Sequence, residues 1–323
     1  MPEAEGTLRE ESMRTVIINE NDADQRVDKF LTKFLKNMPS SMMYKAIRKK
    51  RIKVNGKKTE ISYRLCTGDR MDLYINDEFF EQKEYNDTYR ELEPKINIVY
   101  EDENILLMDK KPGMIVHDDD SEKVNTLLNH MKAYLYKKGE YNPDDENSFA
   151  PALCNRIDRN TGGIVIAAKN AQALKIINEK IKTREIKKFY LCLVSGKLKQ
   201  KQGTLTGYLV KNTDQNRVYI HDTPQKDGKS IATKYKVIRE MELTSLVEVE
   251  LLTGRTHQIR AHFASIGHPL AGDGKYGTNE FNKKVNMKKQ ALYSYKVKFD
   301  FSDENALSYL NGKSFEVKNV PFA

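Results

Sequence analysis

Residues 155–170 read NRIDRNTGGIVIAAKN. The run 164–168 is uniformly apolar, which predicts a strand buried on both faces. Asp158 stands just before this strand, and Arg156 and Arg159 favour the ionised form of its carboxyl group. An ionised carboxylate at the mouth of a buried strand is a candidate nucleophile or base. The alternative is a turn residue whose carboxylate binds the backbone N–H groups of the Asn-Thr-Gly-Gly turn.

A second stretch, residues 251–277, reads LLTGRTHQIRAHFASIGHPLAGDGKYG. A helix beginning at Thr256 would place His257 and Arg260 on neighbouring turns. Arg255 and Arg260 could then both approach a phosphate or a carboxylate, the anions that guanidinium groups bind best.

The histidines of this stretch raise an alternative function, that of a metal hydrolase. His257, His262 and Asp273 could serve a metal hydrolase, but the two histidines are five residues apart, and a helical zinc pair has the i, i+4 spacing. Both could also be hydrogen-bonded packing residues. The sequence has no Gly-rich phosphate loop and no clustered Cys and His. We therefore expect neither a metal ion nor a cofactor.

The rest of the main domain predicts an α+β fold with a largely antiparallel sheet, because its strands are interleaved with few helices and show no regular βαβ alternation. One predicted helix begins after Asn170, which can cap it. The predicted strands cover residues 96–99, 105–108, 189–194, 232–238 and 246–252.

A basic module precedes the main domain. Residues 24–76 hold 14 basic and 5 acidic side chains, whereas residues 1–23 and 77–95 are acidic. The pattern predicts two helices, the first capped by Asp24, and then a small sheet with a tight hairpin at Asn55-Gly56. Its cations are candidates for contacts with a phosphate backbone, although those at a helix end could simply complement the helix dipole. These candidates are Arg48, Lys49, Lys50, Arg51 and Lys53.

Length and composition exclude an integral membrane protein. The chain has 323 residues and a formal net charge of +9. Its longest uncharged apolar run, 162–168, is far short of the roughly 18 residues that a membrane helix needs. The acidic N-terminus is the reverse of a signal peptide, so we expect a cytoplasmic protein. The three widely separated cysteines predict reduced thiols.

Residues 155–170 and 251–277 resemble two long motifs of the RluA-type pseudouridine synthases. The segment KKFYLCLVSG, residues 187–196, resembles the strand that carries this family's active-site tyrosine. The likeness spans residues 96–302. It implies the pseudouridine synthase fold, with a mainly antiparallel mixed sheet, and the conversion of uridine to pseudouridine in RNA without a cofactor or a metal ion.

The resemblance also implies roles for individual residues. Asp158 matches the catalytic aspartate, Tyr190 the tyrosine that stacks on the base, and Arg260 the basic residue that pairs with the aspartate. Arg156 matches the side chain that helps displace the flipped uridine. Arg255 is a weaker candidate for a phosphate contact.

The basic module resembles the S4 RNA-binding domain in the segments RVDKFLTKFL, MMYKAIRKKRIKVNGKK and GDRMDLYI. The resemblance of an S4 domain followed by a synthase domain implies ribosomal RNA as the partner. The chain most resembles the family members that act on the large-subunit (23S) RNA. A monomer is the default expectation. The predicted organisation is an acidic tail (1–18), an S4-like domain (19–76), an acidic linker (77–95) and a catalytic domain (96–323).

Some positions depart from the family pattern. Asn155 replaces the usual His, Gly162 the usual Ser, and Tyr293 a common His, while Lys111-Pro112-Gly113 lacks the residue normally found between Pro and Gly. The competing class is a non-catalytic RNA-binding protein, such as a ribosome assembly factor that keeps an inert synthase fold.

Overall fold

The computed structural model describes residues 13–80 and 87–323, and the chain divides into two units. The first unit comprises the described residues up to Leu92 together with Lys132–Pro151, and the second comprises Glu93–Met131 and Ala152–Ala323. In chain order, the helices and strands are β1 (Met13–Ile17), α1 (Val27–Phe34), α2 (Ser40–Arg48), β2 (Ile52–Val54), β3 (Lys57–Lys58), β4 (Arg70–Tyr74), β5 (Ile98–Glu101), β6 (Ile105–Lys110), α3 (Leu127–Lys137), β7 (Ala152–Leu153), β8 (Gly162–Ala168), α4 (Ala171–Lys182), β9 (Ile186–Ser195), β10 (Gln202–Asn212), β11 (Arg217–His221), β12 (Lys229–Glu240), β13 (Thr244–Leu251), α5 (Gln258–Ser265), α6 (Asn279–Lys284), β14 (Leu292–Phe299) and β15 (Ser314–Glu316). Short 3₁₀ helices cover Asp77–Phe79, Asp87–Arg90, Pro143–Asp145 and Ser308–Leu310.

The first unit has two helices on a small sheet, as the sequence predicts. The described strands form an antiparallel sheet in the order β1-β4-β2-β3, and α1 and α2 bury their apolar faces in the same core. Asn55 and Gly56 both have positive φ, which confirms the predicted tight hairpin between β2 and β3. The predicted cap is wrong, because Asp24 itself has a φ of 58° and Arg26 occupies the N-cap position of α1.

The structure departs from the predicted domain boundaries at two points. Strand β1 pairs with β4, so residues 13–17, assigned to the acidic tail, belong to the sheet of the first unit. Residues 132–151, assigned to the catalytic domain, belong to the first unit as well. There Asp22 is completely buried and accepts hydrogen bonds from Asn147 Nδ2 and Ser148 Oγ, both at 2.6 Å.

The second unit contains a mixed sheet with eleven strands among the described residues. Its main path runs β11-β10-β12-β13-β9-β14-β8-β6-β5, with β15 on β14 and β7 on β8. Every described pair is antiparallel except β8 with β14. All seven residues of β8 are buried, which confirms the predicted two-sided burial of this strand. The α+β class with a mainly antiparallel sheet is therefore confirmed.

The helix after β8 begins as predicted. The Asn170 side chain accepts a hydrogen bond from the Ala173 amide at 2.8 Å, which caps the N-terminus of α4. The five predicted strands correspond to β5, β6, β9, β12 and β13. In the described part of the chain, no helix combines the length and hydrophobicity needed to cross a membrane.

Candidate active site

Asp158 lies in a tight turn that leads into β8. Its carbonyl oxygen accepts a hydrogen bond from the Thr161 amide at 3.0 Å, which closes the turn. Its carboxylate instead contacts Arg260, with Nη1 2.9 Å from Oδ2. The side chain keeps 28% of its surface exposed, so the carboxylate is fixed on one side and open on the other. The main chain makes the turn, and the side chain is available for chemistry.

Helix α5 holds Arg260 in place. The helix begins at Gln258 rather than at the predicted Thr256, because His257 has a left-handed backbone with φ of 55°. The buried Gln258 amide donates to the carbonyl of Ala232 at 3.0 Å and to Thr233 Oγ1 at 2.9 Å. Helix α5 is thereby anchored to β12, and its first turn presents Arg260 to Asp158.

A buried carboxylate, Asp273, grips the other edge of the Arg260 guanidinium. Arg260 Nε is 2.7 Å from Asp273 Oδ2, and Nη2 is 3.0 Å from Oδ1. The amides of Lys275 and Tyr276 also donate to Oδ1. Burial disfavours the charged form of Asp273, but these hydrogen bonds outweigh burial and lower its pKa. The pKa of Arg260 is raised because the attraction of Asp273 and Asp158 exceeds the effect of burial.

The sequence reading missed the role of Asp273, which it considered only as a metal ligand. An available signal was its position before Gly-Lys-Tyr, because an Asp side chain commonly bonds the amides two and three residues on. It also missed Tyr276, whose ring faces the Arg260 guanidinium with 5.1 Å between the guanidinium carbon and the ring centroid. The phenol oxygen of Tyr276 accepts a hydrogen bond from the Val218 amide at 2.9 Å.

His257 completes the group around Asp158. Its Nδ1 lies 3.0 Å from the Tyr276 hydroxyl, and its Nε2 lies 3.8 Å from Asp158 Oδ2. Burial lowers the pKa of His257 and outweighs the opposite effect of Asp158. Since the described residues offer the Tyr276 hydroxyl no other acceptor, we infer that it donates to Nδ1, which leaves the proton of the neutral ring on Nε2, facing Asp158.

Tyr190 lies on β9 and is only 5% exposed. Burial raises the pKa of its hydroxyl to about 12, the Ser294 hydroxyl lowers it, and Asp158 raises it further. Tyr190 therefore keeps its proton at neutral pH and is close enough to Asp158 to sense its charge.

Lys110 binds the backbone of the turn that contains Asp158. Its side chain is completely buried, and its Nζ donates to the carbonyls of Met114, Arg159 and Lys111 at 2.8, 3.0 and 3.2 Å. Burial lowers its pKa to about 7, although Asp158 and Asp109 oppose the shift. Sequence reasoning did not single out this residue, because a lysine at the end of a strand normally reaches solvent.

The remaining predicted contacts lie at the surface. Arg156 and Arg255 are exposed, and neither guanidinium has a protein partner within the described residues. Arg156 is close enough to His117 to lower the pKa of that imidazole further, after burial has lowered it. The structure therefore brings Asp158, Tyr190 and Arg260 together and leaves Arg156 and Arg255 open to solvent.

The basic cluster of the first unit is exposed at the end of α2 and in the hairpin that follows. Arg48, Lys49, Lys50 and Arg51 are all exposed. Lys53 is half-buried, with its amine 5.0 Å from the centroid of the Tyr74 ring. The arrangement leaves the cations accessible to a polyanion.

The alternative metal site is not assembled. His262 Nδ1 lies 2.8 Å from Thr233 Oγ1, and Asp273 is occupied by Arg260. Burial lowers the pKa of His262 to about 4, as expected for a packing residue. Across residues 13–80 and 87–323, no three His, Cys, Asp or Glu side chains are grouped so that they could hold a metal ion.

Known proteins resemble this chain along most of its length. Residues 104–265 match the RNA pseudouridylate synthase family, and residues 25–71 match the S4 domain. The ribosomal large subunit pseudouridine synthase C of Vibrio parahaemolyticus is 31% identical over 92% of this chain and 91% of its own length. The corresponding enzyme of Escherichia coli is 31% identical over 85% of this chain and 83% of its own length.

A further relative and a solved structure are also similar to this chain. An uncharacterised RNA pseudouridine synthase of Mycoplasma genitalium is 32% identical over 95% of this chain and 96% of its own length. The solved structure of human RNA pseudouridylate synthase domain containing 1 shares the fold, with a TM-score of 0.53 and 23% identity over 66% of this chain and 83% of that one. On the strength of these matches, the chain belongs to the RNA pseudouridylate synthase family.

Proposed function

We propose that this synthase isomerises uridines of large-subunit ribosomal RNA, with Asp158 as its catalytic aspartate and without a cofactor. The names of the relatives that match most of the chain support this RNA, and the S4 match supports RNA binding by the first unit. The observation that best supports a catalytic role for Asp158 is the 2.9 Å contact between Arg260 Nη1 and Asp158 Oδ2. The Asp158 side chain is still 28% exposed and therefore open to a substrate.

The reaction is balanced without an oxidant or a reductant. The bond between N1 of the base and C1′ of the sugar breaks, the base turns, and a new bond joins C5 to C1′. The proton on C5 leaves to solvent, and N1 gains one. Asp158, held in place by Arg260 Nη1, supplies the carboxylate that starts cleavage, as a nucleophile or as a base.

Other residues of the site support the same chemistry. Because its pKa is raised to about 12, Tyr190 supplies a ring face and a hydroxyl donor rather than a base at neutral pH. The exposed guanidinium of Arg156 is free to take the place of the flipped uridine in the RNA stack. His257 and Asp273 position the Asp158–Arg260 pair.

The test is tritium release from a 23S-type transcript labelled with [5-³H]uridine, with and without a chelator. Wild type is compared with Asp158→Asn and with the matched control Asp120→Asn, which changes an exposed loop residue. We expect release by wild type and by the control in both conditions. We expect Asp158→Asn to be slower by about 10³-fold or more, as for the loss of a catalytic nucleophile.

Three outcomes would contradict the proposal. Release by Asp158→Asn at the wild-type rate would remove Asp158 from the chemistry. Loss of release on adding chelator, with RNA binding intact, would require a metal ion. No release by wild type from mature, precursor and fragment RNA, despite binding, would favour the assembly-factor alternative.

A further inference from the structure

A lysine-rich stretch lies in α6 and the loop that follows it, outside every motif used above. Residues 279–290 read NEFNKKVNMKKQ, with four lysines and one glutamate. We call Lys283, Lys284, Lys288 and Lys289 the lysine segment. All four side chains are exposed, and within the described residues none of their amines forms an ion pair. Four like charges within seven residues repel one another unless an anion binds them.

The lysine segment borders a cleft of about 370 Å³. Lys283 and Lys288 line the cleft together with the amide side chains of Asn279 and Asn286. Ammonium and amide groups are common donors to phosphate and sugar oxygens of nucleic acids. The composition of the cleft therefore suits a polyanion with hydroxyl groups better than an apolar ligand.

The loop that carries Lys288 and Lys289 is fixed to the loops of the active site. Gly272 has a φ of +74°, and a Cβ there would lie 2.0 Å from the carbonyl oxygen of Lys289, so only glycine allows this approach. The buried Gln290 side chain donates to Thr161 Oγ1 at 2.9 Å, three residues after Asp158. The loop is thus held between the Asp273 loop and the Asp158 turn.

Lys289 itself lies near the Asp158 turn. Its amine is 3.4 Å from the point where a Cβ on Gly113 would lie, and the Gly113 amide donates to the Arg159 carbonyl at 2.8 Å. Lys289 is therefore held beside the turn that presents Asp158.

We propose that the lysine segment binds phosphates of the RNA strand that enters the active site. This inference rests on the proposed function and deepens it. The second unit then contacts the RNA backbone through the lysine segment, and the basic cluster of the first unit provides separate contacts with the RNA. Neutralising these phosphates releases condensed counterions, so the contact contributes to the salt dependence of binding.

The test compares two quadruple variants of the full chain. One carries Lys283→Gln, Lys284→Gln, Lys288→Gln and Lys289→Gln. The matched control removes the same charge from exposed lysines elsewhere in the second unit, through Lys182→Gln, Lys197→Gln, Lys199→Gln and Lys226→Gln. Fluorescence anisotropy with a labelled 23S-type RNA fragment measures Kd across a series of salt concentrations.

We expect the lysine-segment variant to bind at least about tenfold more weakly at low salt. The slope of log Kd against log salt concentration should fall by about 3 in this variant. The reason is that each of the four lost phosphate contacts contributes roughly 0.7 to the slope on single-stranded RNA. The control should keep most of the wild-type slope. Equal losses in both variants, or an unchanged slope in the first, would overturn the inference.

Two further measurements keep the outcome decisive. Urea unfolding verifies that each variant folds, and the pairs Lys283→Gln/Lys284→Gln and Lys288→Gln/Lys289→Gln replace the quadruple variant if it does not. Tritium release by wild type tests the proposed function separately. A slope change without release would reject the isomerase proposal and keep the RNA contact, whereas release without a slope change would do the reverse.

Discussion

The Arg260 side chain joins two carboxylates with very different surroundings. It holds Asp273, which is fully buried, with two hydrogen bonds, and Asp158, which is 28% exposed, with one. A buried bidentate pair is directional and costly to break, about 3–5 kcal/mol when one partner is removed. The pair with Asp273 therefore fixes the guanidinium, and the remaining Nη1 is left to orient Asp158.

The hydroxyl of Tyr276 lies 3.0 Å from His257 Nδ1, and the hydrogen bond inferred above favours the neutral imidazole. Tyr276→Phe removes this donor but leaves the burial that lowers the pKa of His257, so we expect that pKa to rise part of the way toward its ordinary value of about 6.5. Below that pH a charged imidazole would lie beside Asp158 and compete with the substrate for its carboxylate. Tritium release should then fall at pH 6, by at most about fourfold if the pKa reached 6.5, and change little at pH 8.

Tyr219→Phe is the control for this prediction, because it removes an exposed hydroxyl that donates to Gln215 Oε1 at 2.7 Å, on the surface of the protein. The pKa of His257 is measured from the NMR titration of its imidazole Cε1 proton in both variants. An unchanged titration in Tyr276→Phe, or an equal loss of activity at every pH, would contradict the role given to the hydroxyl.

At the scale of elements, two departures from the family pattern explain each other. Gly162 on β8 and Tyr293 on β14 are partners in the parallel pair of strands. A Cβ on Gly162 would lie 2.3 Å from Tyr293 Cε2. The ring cannot move aside, because Tyr293 is buried and its hydroxyl donates to Asp109 Oδ1 at 2.6 Å. The larger residue on one strand requires the smallest residue on the other.

This pairing predicts compensation between the two positions. Gly162→Ser should lower the free energy of unfolding by about 2 kcal/mol through overpacking, and Tyr293→His by a similar amount through the lost contacts. The double variant should be more stable than the sum of the single effects predicts by at least about 1 kcal/mol. Urea unfolding of all four proteins measures this coupling, and strictly additive effects would refute it.

At the scale of the whole molecule, the first unit is made of two separate segments of the chain. The buried Asp22 carboxylate receives donors from Asn147 and Ser148, and Glu146 receives donors from Asn19 and Asn21. Burial raises the pKa of Glu146, and the two amide donors oppose the shift. Each segment therefore supplies donors to an acid of the other: Asn147 and Ser148 to Asp22, and Asn19 and Asn21 to Glu146.

Removing those partners should destabilise the first unit. Asn147→Ala with Ser148→Ala leaves the Asp22 carboxylate buried without two of its donors, and we expect a loss of about 3 kcal/mol in urea unfolding. Asp144→Asn is the control, because it breaks only a surface ion pair with Arg90 and should cost less than about 1 kcal/mol. Equal stability of the double variant and the wild type would show that Asp22 finds other donors.

Local pattern was enough to predict much of this protein. The apolar run 164–168, the Asn55-Gly56 turn and the Asn170 cap each depend on neighbours within a few residues, and all three have the predicted structure. The resemblance of two long motifs indicated the family, because each motif is continuous in the chain. Asp24 shows the limit of local pattern, since it has a positive φ and its amide donates to the carbonyl of Leu65, far along the chain, at 2.8 Å.

By itself, then, the sequence indicated the α+β class, the basic module and the candidate residues Asp158, Tyr190 and Arg260, but it did not predict α3, α6, β10, β11 or β14. Only the tertiary structure decided that Asp273 grips Arg260, that Lys110 ties down the Asp158 turn, and that residues 132–151 belong with the first unit. The physical reason is distance along the chain. Periodicity and capping act within a few residues, whereas Arg260 meets Asp158 across 102 positions, and such contacts exist only once the sheet has formed.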